Sequence, residues 1–368
     1  MNKSAIPLIL GIEILRFLAS LSVVLWHWQH FIPKGFGSTE WYASVPIGSM
    51  FGVIYRLGPY AVPLFWVMSG TIFQHVYADQ IIYKHLNFKQ FLIKRIARLY
   101  PLHIVTLVIV SFLQYLHNAY YLEYFVYTNN DPYNFGLNFL FIQGWGLQTG
   151  ASFNAPTWSV SLEILIYILF FFITYYFKPN SASRLIIATS FLYLKLNTAE
   201  ISNFGSLYFC GSCFYYGTIL SNSSKYVNTL VSSLQNNILY SILFILIIPL
   251  INIMMQNESI NNLVTKNDML IVIILLSIVY IFSNIQIVNT QLKTKTLTLG
   301  EMTYSMYLWH FPLQIVMRLP PIAALSDEYQ DWTFLAFYLL LLFIISAASM
   351  KYIERKLKLV IIKSLHKL

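Results

Sequence analysis

The chain has 368 residues, 57% of them apolar and only 10% charged, with a mean hydropathy of +0.62. Soluble globular chains carry about 25% charged residues, so this composition excludes a water-surrounded enzyme of several domains. The 28 Phe, 27 Tyr and 8 Trp exclude a disordered chain, and a formal charge of +9 needs no nucleic-acid partner where basic residues orient a chain in a membrane.

A membrane span takes about 20 predominantly apolar residues. In chain order, the apolar stretches predict helices at 9–31, 49–76, 92–117, 159–177, 183–197, 203–221, 237–255, 268–285, 299–319 and 333–352. The expected fold class is all-α, a polytopic membrane protein of about ten transmembrane helices. One membrane-embedded domain is expected over 1–355, with a short basic tail at 356–368, and no internal repeat or low-complexity stretch divides it. The first stretch is long and holds Arg16 and His27, so it reads as a retained span and not as a cleaved signal. With both termini placed in the cytoplasm, seventeen Lys and Arg fall inside, five outside and Arg16 within span one. That bias and the even number of spans agree with the positive-inside rule.

Ionisable groups inside spans are costly and by default functional. Glu13, Arg16 and His27 stand out in the first span, Glu163 in the fourth, and Glu301 and His310 in the ninth. The alternative is a set of structural interhelical ion pairs. Arg16 and His27 are eleven residues apart, about three helical turns, which places both on one face with a rise of about 16 Å. Glu13 joins them by an i,i+3 step. Counted from the outer helix ends, His27 and Glu163 lie at similar depths. A carboxylate beside an imidazole fixes its tautomer and raises its basicity, as a general base for a hydroxyl nucleophile requires.

Five segments carry a resemblance. They are Glu13 to Ala19 followed by His27; Gly58 to Phe65 followed by Ser69 and Gly70; Arg95-Ile96-Ala97-Arg98-Leu99-Tyr100-Pro101; Trp158-Ser159-Val160-Ser161-Leu162-Glu163 with Tyr167 one turn on; and Gly300 to His310. In this order and spacing the chain resembles the integral-membrane acyltransferase family 3, bacterial members of which O-acetylate lipopolysaccharide O-antigen and other surface glycans. Phe17, Ala61, Thr71 and Thr303 depart from the family's usual residues, at positions that bear on packing or substrate choice. The chain has no room for the extra periplasmic esterase-like domain of many relatives, which implies a stand-alone form.

The resemblance implies a cytosolic acyl-CoA donor, most simply acetyl-CoA, no permanently bound cofactor and no metal. It further implies a glycan acceptor, lipid-linked in kind, and membrane lipids as partners, within a bacterial inner membrane. His27 and Glu163 are the expected catalytic residues, and Arg16, Arg95 and Arg98 the expected donor-binding residues. Glu13, Ser69, Trp158, Ser161, Tyr167, Tyr307 and His310 are the candidate cavity-lining positions. Arg95 and Arg98 share a helix face at i,i+3, and guanidinium forks suit phosphates. The loop from 118 to 158 has no Lys or Arg and is rich in Tyr, which suits either sugar rings or a membrane-interface belt. Cys210 and Cys213 read as packing residues. The rival function is a carrier or flippase for a lipid-linked saccharide, although the repeats common in transporters are not evident. The sequence leaves the acceptor, the acyl group, the oligomeric state and any acyl-enzyme step open.

Overall fold

The structure, a computed structural model, describes residues 10–198, 204–227, 267–283, 285, 289–323 and 331–365. Among these every regular element is a helix. The elements are α1 (Leu10–Trp26), α2 (Thr39–Ser44), α3 (Gly48–Arg56), α4 (Gly58–Ile82), α5 (Phe88–Tyr121), α6 (Pro132–Leu140), α7 (Trp158–Phe177), α8 (Ser181–Leu196) and α9 (Gly205–Val227). They continue with α10 (Asp268–Ser283), α11 (Thr290–Arg318), α12 (Pro320–Ala323), α13 (Trp332–Ser349) and α14 (Arg355–Leu365). A 3₁₀ turn, His27–His30, extends α1, and a π-helical turn, Met350–Glu354, joins α13 to α14. The candidate span at 237–255 lies outside the described residues.

Among the described residues four helical segments are long and apolar enough to cross a membrane: Leu10–His30, Phe88–Tyr121, Ala155–Phe177 and Trp332–Lys363. The described fold is thus all-helical with four candidate membrane-spanning helices. Helices α4, α9 and α11 have spanning length but a more polar composition, and α10 is a shorter apolar helix. The physical reason is position: α4 packs against α1, α3, α7, α9 and α10, so protein rather than lipid surrounds it. The stretch 49–76 is not one span. The helix breaks at Leu57, and Pro59 in the first turn starts α4, where its missing N–H costs nothing.

Helices α4 and α9 lie at backbone contact. A Cβ on Gly70 would meet the Phe214 carbonyl oxygen at 1.9 Å, and one on Gly217 would meet the Val67 carbonyl oxygen at 2.1 Å. Small residues at such crossings allow close dispersion contact where lipid supplies no hydrophobic drive. Thr71, one of the departures from the family pattern, donates to the Gly217 carbonyl at 3.0 Å and so ties this crossing. Cys210 and Cys213 are free and fully buried in the same core.

Three long helices contain proline. In α11, Pro312 lacks the N–H that would bond the Leu308 carbonyl four residues back. Asn154 supplies that bond from its side-chain amide at 3.0 Å, which pins the loop before α7 to the helix that carries His310. In the same loop Phe141 stacks flat on His103, with centroids 3.7 Å apart, while Phe139 and Leu140 are exposed.

Candidate active site

A cavity of ≈ 120 Å³ opens between α1, α4, α5, α7 and α11. Aromatic and aliphatic side chains, among them Phe65, Trp66 and Phe73, form its walls, and its polar lining comprises Arg16, Ser69, Arg95, Arg98, Glu163, Tyr167 and Tyr307 with Ser159, Thr303 and Tyr304.

Arg16 donates to Glu13 at 2.8 Å, an i,i+3 pair largely shielded from solvent. Glu13 is thus the partner of a lining residue and not itself in the lining. Arg95 donates to the Tyr77 hydroxyl, and its guanidinium lies over the rings of Tyr77 and Phe73 at 4.8 and 5.1 Å. This leaves its planar fork fixed in direction. Arg98 is half-buried, lines the cavity and makes neither a hydrogen bond nor an ion pair among the described residues. Its charge acts on Arg16, Arg95, Glu163 and Glu354, so it sits at the centre of the site's charges.

Glu163 accepts from Tyr167, one turn along α7, and lies 3.4 Å from Ser69 Oγ on α4. Tyr167 in turn stacks on Phe73, with centroids 4.0 Å apart. The expected pairing of Glu163 with His27 is not formed. Equal depth along two helices does not bring two side chains together, because depth leaves each helix's azimuth undetermined. Glu163 faces the arginine cavity, whereas His27 packs with His30 and His310, centroids 5.1 and 4.7 Å away.

The tautomer of His27 is fixed by another route. Its Nδ1 is 2.8 Å from the Val23 carbonyl, which can only accept, so Nδ1 carries the proton and Nε2 holds a lone pair. His310 lies one turn beyond Tyr307 on α11, and its ring centroid is 5.8 Å from that of Tyr307. Tyr307 is therefore the wall shared by the cavity and the imidazoles. Its hydroxyl bonds Ser159 at 2.8 Å and donates to the Pro156 carbonyl.

Besides Glu13, three expected lining positions are not in the cavity lining: His310 stands beyond Tyr307, and two more lie elsewhere. Trp158 packs edge-on against Trp66, and Ser161 accepts from the Gly144 N–H at 2.8 Å, fastening the preceding loop to α7. The reason is helical phase: Ser161 is two residues, about 200°, from Glu163, whereas Ser159 is four residues away and shares its face. That signal in Trp-Ser-x-Ser-x-Glu selects Ser159, which lines the cavity. Glu301 is also not an intramembrane charge facing the bundle interior; it is exposed and ion-paired with Arg355.

The acyltransferase domain family matches residues 9–351, nearly the whole chain. The chain belongs to acyltransferase family 3. Among curated proteins, acyltransferase MdmB of Streptomyces mycarofaciens is 27% identical over 159 residues, which cover 42% of this chain and 36% of that protein. The match thus spans about a third of the relative's length. No solved structure matches the chain significantly.

In this family 3 acyltransferase the site extends past the matched residues. Helix α14 packs against α5, Arg355 binds Glu301, and Glu354 accepts from Ser305. The charge of Lys358 acts on both Arg98 and Arg95, so the segment expected as a tail is a helix held at the arginine end of the cavity.

Gly300 of the acyltransferase makes room for the Glu13 carboxylate: a Cβ there would meet Glu13 Oε2 at 1.9 Å. Gly300→Ala is expected to force the Glu13–Arg16 pair apart and to cost about 1–3 kcal/mol, the usual range for overpacking. Thermal unfolding of the detergent-purified variant measures the loss. A second contrast separates the two serines. Ser159→Ala is expected to lower transfer with little change in melting temperature, and Ser161→Ala to lower the melting temperature with a smaller effect on transfer. Paired melting curves and transfer assays of the two variants check this.

Proposed function

We propose that the protein is a multi-pass O-acyltransferase of a bacterial inner membrane, with about ten spans and both termini cytoplasmic. It transfers an acyl group, acetyl in the simplest case, from cytosolic acyl-CoA to a hydroxyl of a surface or lipid-linked glycan. The observation that carries this reading is the convergence of Arg16, Arg95 and Arg98 on one aromatic-walled cavity that ends at Tyr307, with His27 and His310 grouped near that wall.

Arg95 and Arg98 hold the donor's phosphates, with Lys358 adding positive charge at the same mouth. The pantetheine arm runs along the apolar walls past Arg16 and brings the thioester to the Tyr307 end. His27 stands at the start of the 3₁₀ turn that extends α1, eleven residues and about 16 Å beyond Arg16. His27 Nε2 takes the proton of the acceptor hydroxyl as the oxygen attacks the thioester carbon. The C–S bond breaks, and the CoA thiolate leaves and recovers a proton. Glu163, held by Tyr167 and Ser69, offsets the charge of Arg16 and Arg98. It serves the donor side of the site and not the imidazole.

Purified protein in liposomes, given labelled acetyl-CoA and a glycan fraction from the producing cell, tests the proposal. A labelled, ester-linked glycan is the expected product. Saccharide movement without CoA release would establish the carrier reading instead. Mass spectrometry and NMR of surface glycans from cells with and without the gene identify the acceptor and the hydroxyl.

A further inference from the structure

Coenzyme A carries two separate anionic groups. Counted from the thiol, an uncharged pantetheine arm leads to a diphosphate, and the adenosine beyond it bears a phosphate on the 3′-hydroxyl of its ribose. Arg95 and Arg98 line the cavity and suit the first of these anions. The segment beyond the family match supplies a group for the second.

Packing seats the π-helical turn and α14 beside the two arginines. Ile353 packs in one apolar cluster with Leu99 and Leu102 of α5 and with Tyr304 and Leu308 of α11. Leu99 follows Arg98 directly, and its carbonyl accepts from the Tyr304 hydroxyl at 2.6 Å. Two polar contacts then fix the azimuth: Ser305 donates to Glu354, and Arg355 donates to Glu301. Lys358 stands three residues past Arg355 and four past Glu354, so it shares the face that is turned to α5 and α11. Leu359 and Val360, round the helix from it, are exposed.

Lys358 is exposed, lies outside the cavity lining and makes no hydrogen bond or ion pair among the described residues. Its charge acts on Arg98 and Arg95, so three cations share one field. The carboxylates that act on Lys358 are already held, Glu354 by Ser305 and Glu301 by Arg355. Like charges brought together repel, and a polyanion that bridges them removes that cost. Lys356 does not join this group. It is two residues, about 200°, from Lys358, and its ammonium lies over the Tyr352 ring at 5.4 Å.

We propose that Lys358 binds the ribose 3′-phosphate of the donor, and that α14 thereby selects coenzyme A thioesters over thioesters on carriers that lack this phosphate. The inference rests on the acyl-CoA reading above and adds which part of the nucleotide is read. With Arg95 and Arg98 on the diphosphate, Lys358 stands on the solvent side of both, where the ribose emerges from the cavity. A single ammonium meets a phosphate dianion there, so the contact is a point-charge attraction, weakened by salt, and needs no planar fork.

The full-length protein in lipid nanodiscs is titrated by calorimetry with CoA and with dephospho-CoA, which lacks only the 3′-phosphate. Wild type is expected to bind CoA about 3–10-fold more tightly, as a charge-assisted bond reduced by solvent screening allows. Lys358→Ala is expected to lose this preference by weakening CoA and leaving dephospho-CoA unchanged, and Lys358→Arg to keep it. Arg98→Ala is expected to weaken both ligands and Lys356→Ala neither. In transfer assays Lys358→Ala is expected to raise the KM for acetyl-CoA with kcat unchanged. Equal affinity of wild type for the two ligands, or a preference for CoA that survives in Lys358→Ala, would overturn the proposal. So would a preference lost in Lys94→Ala alone, since Lys94 is exposed one turn before Arg98 on α5. In each of these cases acyl-CoA remains the donor; failure of both ligands to bind wild type would remove the donor reading and the proposal with it.

Discussion

His27→Ala is expected to abolish acyl transfer while the protein still folds and inserts. The imidazole is buried, and its Nδ1 bond to Val23 is local to the same helix, so its removal costs packing and one hydrogen bond and leaves the interhelical contacts of α1 with α4 and α11 in place. One net hydrogen bond is worth about 1 kcal/mol, which a membrane protein of this size tolerates. The chemical loss is larger. A positioned general base contributes about 10²–10⁴ in rate. Transfer of label from acetyl-CoA to glycan, compared between wild type and variant at equal membrane content, gives the answer. Transfer at wild-type rate would refute His27 as the base.

The second large effect is expected at Arg98. Arg95 is committed to the protein through Tyr77 and Phe73, whereas Arg98 carries its charge at the cavity without a hydrogen bond or ion pair among the described residues. A charge-assisted hydrogen bond contributes about 1.5–3 kcal/mol. Arg98→Ala is therefore expected to weaken CoA binding on the order of 10–100-fold, with a melting temperature close to wild type. Arg98→Lys restores the charge but not the planar fork and is expected to recover only part of the affinity. The measurement is titration calorimetry of the nanodisc-held protein with CoA, and with pantetheine as a probe that lacks the nucleotide. Pantetheine binding unchanged by the substitution places the lost contact on the phosphates; equal losses for both would place it elsewhere. The same logic predicts a smaller loss for Lys358→Ala, because that side chain is exposed and water screens it.

Some features of the site were legible from residue spacing. Arg16 and His27 are marked by their rarity in an apolar stretch; the structure puts Arg16 on the cavity and His27 in the 3₁₀ turn beyond α1, against His30 and His310. Arg95 and Arg98, and Glu163 and Tyr167, are pairs within one helix, and the structure places all four on the cavity. Spacing is silent where one helix must be related to another. Depth alone pairs Glu163 with His27, but α7 turns the carboxylate towards Ser69 and Arg16. Within α7 the helical phase alone selects Ser159, four residues from Glu163, over Ser161, and the cavity lining agrees. Glu301 falls within an apolar stretch of the sequence, whereas α14 returns Arg355 to pair with it at an exposed position.

The sequence by itself determined the solvent, the helical class, the family and which residues share a helix face, because hydropathy and the 3.6-residue period are local properties. Only the tertiary structure decided which faces meet. It put the carboxylate with the arginines, the two histidines with each other, and Tyr307 between the two groups. Those pairings depend on helix azimuth and contact distance, which here are set by close crossings such as Gly70 on Phe214 and Gly300 on Glu13, and no spacing along the chain encodes them.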